Sequence, residues 1–270
     1  SDPAFVFFIS CVNKLFYVEH LIKSVISMNF NLTVVGGGHA GLEAAWIAAE
    51  LGLKVALITS PNVKIGSTPC NPAIGGVGKG QVVREIDAMG GLMGLLADLS
   101  GIQYRTLNES KGYAVQSTRV QLDKDIYASN AEKLITGHKN ITVIQKKVDK
   151  IERDKLGSFI FFDELRGLIV ESDKVVVTTG TFLGGVLHRG SEKKKGGRVG
   201  CSSSKDLKDL FANVKTLGKK FKTGTPPRLD KNTIDFSKML PQPSDIKANS
   251  FHCLHKSNQR FLPQVECYLT

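Results

Sequence analysis

Two glycine-rich motifs in this sequence have residue types and spacings that could bind a phosphate group or a planar ring. The first consists of Gly36, Gly37, Gly38, His39, Ala40 and Gly41, and it satisfies the pattern GxGxxG. Glycines at this spacing let the backbone N–H groups of a tight turn and of a helix start receive a pyrophosphate. The second motif, CNPAIGGVGKG at residues 70–80, begins with Cys70 and contains Lys79. Its glycines let the backbone lie flat against a planar ring, with a positive charge nearby.

The residues around the first motif predict a βαβ unit. Residues 32–35 are apolar, residues 40–51 are rich in alanine, and residues 55–58 are apolar again. This order predicts strand, glycine turn, helix and strand, within the length of about thirty residues that a βαβ crossover needs. The second strand runs into Thr59 and Ser60, so it lacks the acidic residue that binds the ribose hydroxyls in NAD sites. A hydroxyl side chain or water must bind the ribose instead.

A distant strand favours FAD over NAD as the dinucleotide. Residues 175–177 are apolar and are followed by Thr178, Thr179 and Gly180. This text is similar to the apolar strand and ATG turn of flavin disulfide-reductase-like proteins, in which the turn lies beside the cofactor. We therefore predict an α/β fold with a Rossmann-like FAD-binding domain, in which Thr179 and Gly180 contact the cofactor. A glycine turn of purely structural value is the alternative for each motif.

Between these motifs, apolar spacing predicts three helices and five strands. We expect helices over residues 81–89, 92–99 and 119–135, and strands over residues 141–144, 148–151, 159–162, 168–170 and 174–177. Residues 1–27 are predicted to be an extension foreign to the fold, with the real start at Met28. Residues 28–220 are predicted to form the FAD-binding domain, and residues 221–270 the truncated start of an inserted nicotinamide or substrate domain.

Composition limits the class of protein and its partners. The apolar run at residues 5–12 is too short to span a bilayer, which predicts no membrane association. A net charge of +11 and a pI near 9.4 indicate a polyanionic partner, with a solvated lysine-rich face as the alternative. Five widely spaced cysteines indicate neither a disulfide framework nor a metal site, and they fit a reducing cytoplasm.

Five motifs in a fixed order identify a family. They are residues 36–41, CNPAIGGVGKG at 70–80, GTFL at 180–183, GGR at 196–198 and KTGTPPR at 222–228. Over about residues 28–270 the chain resembles the flavin-dependent tRNA uridine 5-carboxymethylaminomethyl modification enzymes, the MnmG/GidA family. The resemblance implies an enzyme that modifies carbon 5 of the wobble uridine in tRNA and works with a GTPase partner. It further implies FAD, NADH as reductant, methylenetetrahydrofolate as carbon donor, a homodimer of the full-length protein and a cytoplasmic location.

The resemblance also assigns site residues. Cys70 and Cys267 correspond to the family's catalytic cysteines, and a small buried side chain is the alternative for each. FAD contacts carry over to residues 36–41, to Val148 and to Ser204. Two basic groups are candidate contacts to the tRNA backbone, with solvated loop charge as the alternative: Lys193, Lys194, Lys195 and Arg198, and Lys219, Lys220 and Lys222.

Two other functions compete with this one. The first is a folate- and FAD-dependent tRNA uridine methyltransferase, which shares the dinucleotide-binding unit. The second is an inactive fragment that binds only flavin or RNA. The loop at residues 70–80 and the segment KTGTPPR at 222–228 favour the carboxymethylaminomethyl reaction over the methyltransferase.

Overall fold

A computed structural model describes residues 29–69, 71–163, 165, 167–197, 207, 215, 224, 226–256 and 259–269. Several predictions fall outside these described residues. They concern the extension at 1–27, the catalytic residue Cys70, the FAD contact Ser204, and the basic residues Arg198, Lys219, Lys220 and Lys222.

The described residues form helices and strands in an α/β order. The strands are β1 (Asn29–Val35), β2 (Val55–Thr59), β3 (Ala73–Gly75), β4 (Gly101–Leu107), β5 (Ser117–Leu122), β6 (Ile141–Gln145), β7 (Lys150–Arg153), β8 (Phe159–Phe162), β9 (Leu168–Val177), β10 (Val186–Arg189), β11 (Glu192–Lys195), β12 (Leu240–Gln242) and β13 (Cys267–Leu269). The α-helices are α1 (His39–Glu50), α2 (Lys79–Ala88), α3 (Met93–Ser100) and α4 (Lys124–Gly137). None of the helices in the described part of the chain has the length and apolar content needed to cross a membrane.

A six-stranded sheet forms the centre of the fold, with the strand order β6-β2-β1-β9-β8-β7. The strands β6, β2, β1 and β9 are parallel, while β8 and β7 pair antiparallel at one edge. All five residues of β2 are buried, as expected for a parallel strand that is covered on both faces. The unit β1-α1-β2 and the Rossmann-like fold class are thus confirmed.

A smaller antiparallel sheet, β3-β5-β4, lies beside α2 and α3. The last described segment packs against its edge strand β4, since the Val265 N–H donates to Ile102 O at 2.7 Å and the Asp245 N–H donates to Tyr104 O at 2.8 Å. Phe251 from this segment is 1% exposed and belongs to the main core. The predicted domain division after residue 220 stays a prediction.

Two apolar clusters form the described core. One contains Leu42 of α1, Val34 and Leu57 of the large sheet, and Tyr104 of the small sheet. The other contains Val35, Ile58, Phe161 and Val148, among other residues. Because neighbouring residues of a strand point to opposite faces, β1 contributes Val34 to one cluster and Val35 to the other. The end of β1 is therefore held from both sides, and this is where the glycine turn begins.

The helix predicted over residues 119–135 is partly wrong. Residues 117–122 form β5, whose burial largely alternates, and the helix begins only at Lys124. Asp123 caps that helix, since its carboxylate accepts the N–H groups of Asp125 and Ile126 at 3.0 Å each. The strands predicted at 168–170 and 174–177 are one continuous strand, β9, and the strand predicted from 148 begins at Lys150. The strands β3, β4, β10, β11 and β12 were not predicted.

Candidate functional site

The glycine turn connects the end of β1 to the start of α1. Gly36 has a φ of +118°, which L side chains rarely adopt, and a Cβ there would lie 2.4 Å from Thr178 O. A Cβ on Gly41 would lie 1.8 Å from Gly36 O. Both positions therefore require glycine for the turn and for the close approach of the helix to the sheet.

Gly38 differs from these two glycines because its free side faces open space. It is exposed, and a Cβ placed on it would meet nothing within 4 Å. Gly38 is the N-cap residue of α1, and no described side chain caps this helix. The first turn of α1 also carries no acidic residue. The N–H groups at this helix start, with the positive end of the helix dipole, can therefore receive an anion.

Thr178 joins the end of β9 to the glycine turn. Its N–H donates to Val35 O at 2.8 Å, and its hydroxyl lies 3.0 Å from both Val35 O and Gly36 O. Thr179 and Gly180 follow at once, and Gly180 has a φ of +56°. The structure thus brings the second predicted cofactor turn next to the first.

The hydroxyl side chains at the end of β2 occupy two different positions. Thr59 is 3% exposed, and its Oγ1 would lie 2.8 Å from a Cβ on Gly37. Thr59 thus packs beneath the turn. Ser60 is half-buried and is the next hydroxyl along the chain.

Val148 is 4% exposed and its side chain belongs to the second core cluster, which leaves its backbone as the part that could contact a ligand.

His39 and Ala40 begin helix α1. The His39 ring packs edge-on against Tyr127 with centroids 5.5 Å apart, and Nδ1 lies 3.3 Å from the Tyr127 hydroxyl. Burial lowers the pKa of His39, and burial also raises the pKa of Tyr127. Both side chains are therefore neutral at pH 7. Ala40 is exposed and presents only a methyl group.

Cys267 lies at the start of β13 and contacts a residue that sequence reasoning missed. Its Sγ lies 2.9 Å from Gln103 Oε1. The Gln103 side chain is oriented by a second bond, because Nε2 donates to Gln242 O at 2.8 Å. The thiol therefore donates to the amide oxygen. Gln103 is 2% exposed, and its partner is 164 residues away in the sequence, so no local pattern could have identified it.

The small sheet connects Cys267 to strand β3, which follows Cys70 in the sequence. Ala73 pairs with Gln121, and Gln121 pairs with Gln103, so these three residues form one row across β3, β5 and β4. Cys70 precedes Ala73 by three residues and lies outside the described residues. Cys267 contacts the far end of the same row through Gln103. The sheet thus connects Cys267 to the strand that follows the Cys70 loop.

A basic hairpin formed by β10 and β11 extends from the end of β9. Lys193, Lys194 and Lys195 are all exposed on β11. In the antiparallel register, Lys193 lies opposite His188 and Lys195 lies opposite Val186. Because side chains alternate along a strand, Lys193 and Lys195 lie on one face of the hairpin and Lys194 on the other, and all three present positive charge to solvent.

Comparison with known proteins gives consistent results. A family model described as glucose inhibited division protein A matches residues 31–270. The chain is 43% identical over 243 residues to the tRNA uridine 5-carboxymethylaminomethyl modification enzyme MnmG of Bdellovibrio bacteriovorus. This aligned region covers 89% of this chain and 37% of that protein. Two crystal forms of Aquifex aeolicus GidA superpose with TM-scores of 0.78 and 0.80, at 42% and 41% identity. They cover 89% of this chain and 40% and 41% of the GidA chains.

The chain spans about two fifths of the length of these relatives. Within that part, the match includes the glycine turn, the β9 turn and β13. The family match over residues 31–270, on a fold of the same shape, shows that this chain belongs to the glucose inhibited division protein A (GidA) family.

Proposed function

We propose that this chain binds FAD and that its protein modifies carbon 5 of the wobble uridine in tRNA. The observation that carries the first part is the open face of Gly38 at the uncapped start of α1. The second part is supported by the 43% identity to a protein named for this reaction. NADH, methylenetetrahydrofolate, a GTPase partner subunit, a homodimer and a cytoplasmic location belong to the proposal through the family.

The residues of the turn fit a dinucleotide. The pyrophosphate would lie against the backbone N–H groups of residues 36–41, where a Cβ on Gly38 would occupy its place. The ribose would contact the Ser60 hydroxyl, because Thr59 is packed beneath Gly37. The turn at Thr179 and Gly180 and the backbone of Val148 complete the described part of this site, and Ser204 is the further predicted contact.

When bound, FAD supplies hydride chemistry to the reaction. The protein's part begins with a thiol, for which Cys267 and Cys70 are the candidates. A thiolate that adds to carbon 6 of uracil forms a C–S bond and moves an electron pair toward carbon 5, which becomes enolate-like and nucleophilic. After carbon 5 gains its substituent and loses its proton, the C–S bond breaks and the thiolate leaves.

Gln103 orients the Cys267 thiol in this proposal. The bond from the thiol to Oε1 fixes where the sulfur lies, and the bond from Nε2 to Gln242 O keeps the amide from rotating. The thiol proton must leave before the sulfur can attack, because only the thiolate is a good nucleophile. Gln103 is therefore a positioning residue, and a base must remove the proton.

The experiment is complementation of a strain that lacks the gene, with the full-length gene carrying Cys267→Ser or Cys70→Ser. We expect wobble-uridine modification, measured by mass spectrometry of tRNA nucleosides, to be lost in each. Cys201→Ser is the matched control, because it lies within the predicted FAD-binding domain and has no assigned role, and it should retain the modification. Full modification in both variants would remove the cysteines from the mechanism, and formation of 5-methyluridine by the wild type would favour the methyltransferase. If the present chain alone binds FAD but does not restore modification in that strain, it is the inactive flavin-binding fragment.

A further inference from the structure

Three potential metal ligands meet away from the glycine turn. Asp87 lies in the last turn of α2, and His252 and Cys253 lie in the segment that crosses it. A carboxylate oxygen, a ring nitrogen and the thiol sulfur of these residues all lie within 4.8 Å of one another. Asp87 and His252 are 165 residues apart in the sequence, so the spacing of the cysteines could not have indicated this cluster.

The carboxylate of Asp87 is buried and held in place. Asp87 is 5% exposed, Oδ1 lies 2.7 Å from His252 Nδ1, and Oδ2 accepts the Cys253 N–H at 2.8 Å. The His252 ring is positioned in turn by an edge-on contact with His255, with centroids 4.8 Å apart. The His255 Nδ1 lies 2.9 Å from Asp98 Oδ2, which fixes that second ring. The ligands are thus oriented without a metal.

The local field favours a cation. Asp87 lies at the carboxyl end of α2, where the helix dipole is negative. Burial raises the pKa of Glu43, and hydrogen bonds from the Leu92 and Met93 N–H groups oppose this rise. The negative charge of Asp87 adds to the rise, so the two carboxylates are close enough to interact. The Asp87 carboxylate and the carboxyl end of α2 therefore both favour a cation at the position that the ion would take.

We propose that Asp87, His252 and Cys253 bind a divalent transition metal of the zinc class. Nitrogen, sulfur and oxygen donors are the set that Zn²⁺ prefers, and bonds of about 2.0–2.3 Å place tetrahedral donors about 3.3–3.8 Å apart. The three atoms are already within 4.8 Å, so small side-chain rotations are sufficient. Binding releases the proton of the Cys253 thiol to solvent, and the His252 nitrogen that binds must carry no proton. Where Nδ1 is that nitrogen, its hydrogen bond to Asp87 is lost and the ring proton moves to Nε2.

The exposure of Cys253 distinguishes this proposal from a purely structural clamp. The clamp uses the Cys253 backbone N–H and the His252 ring, and it does not require a thiol. Cys253 is exposed, so water can take the fourth position on the ion. A bound ion would fasten the segment around residue 252, which leads to β13, onto α2.

The test uses the purified protein, stripped with a chelator and titrated with Co²⁺ as the probe. We expect one Co²⁺ to bind, with a thiolate-to-cobalt charge-transfer band that Zn²⁺ removes. Cys253→Ser should abolish the band and weaken Zn²⁺ binding at least about tenfold, because a direct ligand matters no less than its supporting shell. Cys267→Ser is the matched control, since its thiol contacts Gln103, and it should keep the band.

Thermal unfolding provides the second measurement. Without metal, Cys253→Ser should unfold at the wild-type temperature because the thiol is exposed, which shows that the variant folds. At the same Zn²⁺ concentration, the Tm should then rise in the wild type and rise less in Cys253→Ser. The site does not exist if the wild type gives no charge-transfer band, if the band persists in Cys253→Ser, or if Cys267→Ser loses it.

Discussion

At the scale of single residues, the glycines of the turn have separable functions. Gly36 and Gly41 are required by the fold, because a Cβ on either would overlap backbone atoms. Gly38 has open space beside it, which a ligand could occupy. The pattern GxGxxG predicts this division by position, with Gly36 for the tight turn, Gly38 for the close approach of a phosphate and Gly41 for the packing of helix against strand. The structure adds the distances that a Cβ at Gly36 or Gly41 would have to its neighbours.

Gly41→Ala should therefore destabilise the protein itself. Its Cβ would lie 1.8 Å from Gly36 O, so either the turn or the helix must move. We expect the free energy of unfolding to fall by about 2 kcal/mol or more, measured by urea denaturation. Gly112→Ala is the control, because a Cβ there meets nothing within 4 Å and φ is −64°. Equal stability of the two variants would contradict the close packing of helix and turn.

His39 should make stability depend on pH. Burial lowers its pKa in the folded state, so the unfolded chain binds the proton more tightly. The stability that the neutral ring contributes is present above the unfolded pKa of about 6.5 and is lost as pH falls toward the folded pKa. From about pH 7.5 to about pH 5.5, the wild type should lose more free energy of unfolding than His39→Gln does. An equal loss in both proteins would exclude His39 as the cause.

At the scale of elements, the buried carboxylate of Asp98 fastens the segment at residues 250–256 to α3. Asp98 is 0% exposed. Oδ1 accepts the Phe251 N–H at 2.9 Å, and Oδ2 accepts the His252 N–H at 2.8 Å. Oδ2 also lies 2.9 Å from His255 Nδ1. These bonds hold residues 250–256 against the core, and β13 follows this segment in the sequence.

Asp98→Asn should test this attachment. The amide has one acceptor oxygen, so at least one buried donor loses its partner, and we expect a loss of about 2–4 kcal/mol in the free energy of unfolding. Glu85→Gln, an exposed carboxylate on α2, should change stability by less than about 0.5 kcal/mol. If urea denaturation gave similar values for both variants, the segment would not depend on Asp98.

The elements that could be predicted are those whose signals are local. The unit β1-α1-β2 combines apolar runs with a glycine turn, so composition and spacing were sufficient. In the segment 117–122, Val120 and Leu122 fit both a helix and a strand, and pairing with β4 and β3 decides for the strand. The cap at Asp123 was the available signal that a helix begins there. The contact of Cys267 with Gln103 and that of His252 with Asp87 are long-range, which spacing cannot show.

At the scale of the whole molecule, the charge of +11 indicates a polyanionic partner, and the proposed tRNA substrate should therefore bind in a salt-dependent way. Replacing Lys193, Lys194 and Lys195 with glutamine should weaken tRNA binding and reduce the slope of log K against log salt by up to about 2–3. The control replaces three exposed lysines elsewhere, Lys133, Lys139 and Lys155. A filter-binding titration over several salt concentrations measures both sets. Identical slopes for the two triple variants would remove the hairpin from the tRNA-binding surface.

Binding of FAD at the open start of α1 is the central proposal. The decisive measurement is FAD affinity of the purified protein, by flavin fluorescence, for the wild type and Gly38→Ala. Gly38 has a φ of −80° and no neighbour near its Cβ, so the variant should lose less than about 1 kcal/mol of stability. We predict that the variant folds and that its FAD affinity falls at least about tenfold, because the added methyl group would occupy the proposed position of the pyrophosphate. A folded Gly38→Ala protein that binds FAD as tightly as the wild type would contradict this proposal.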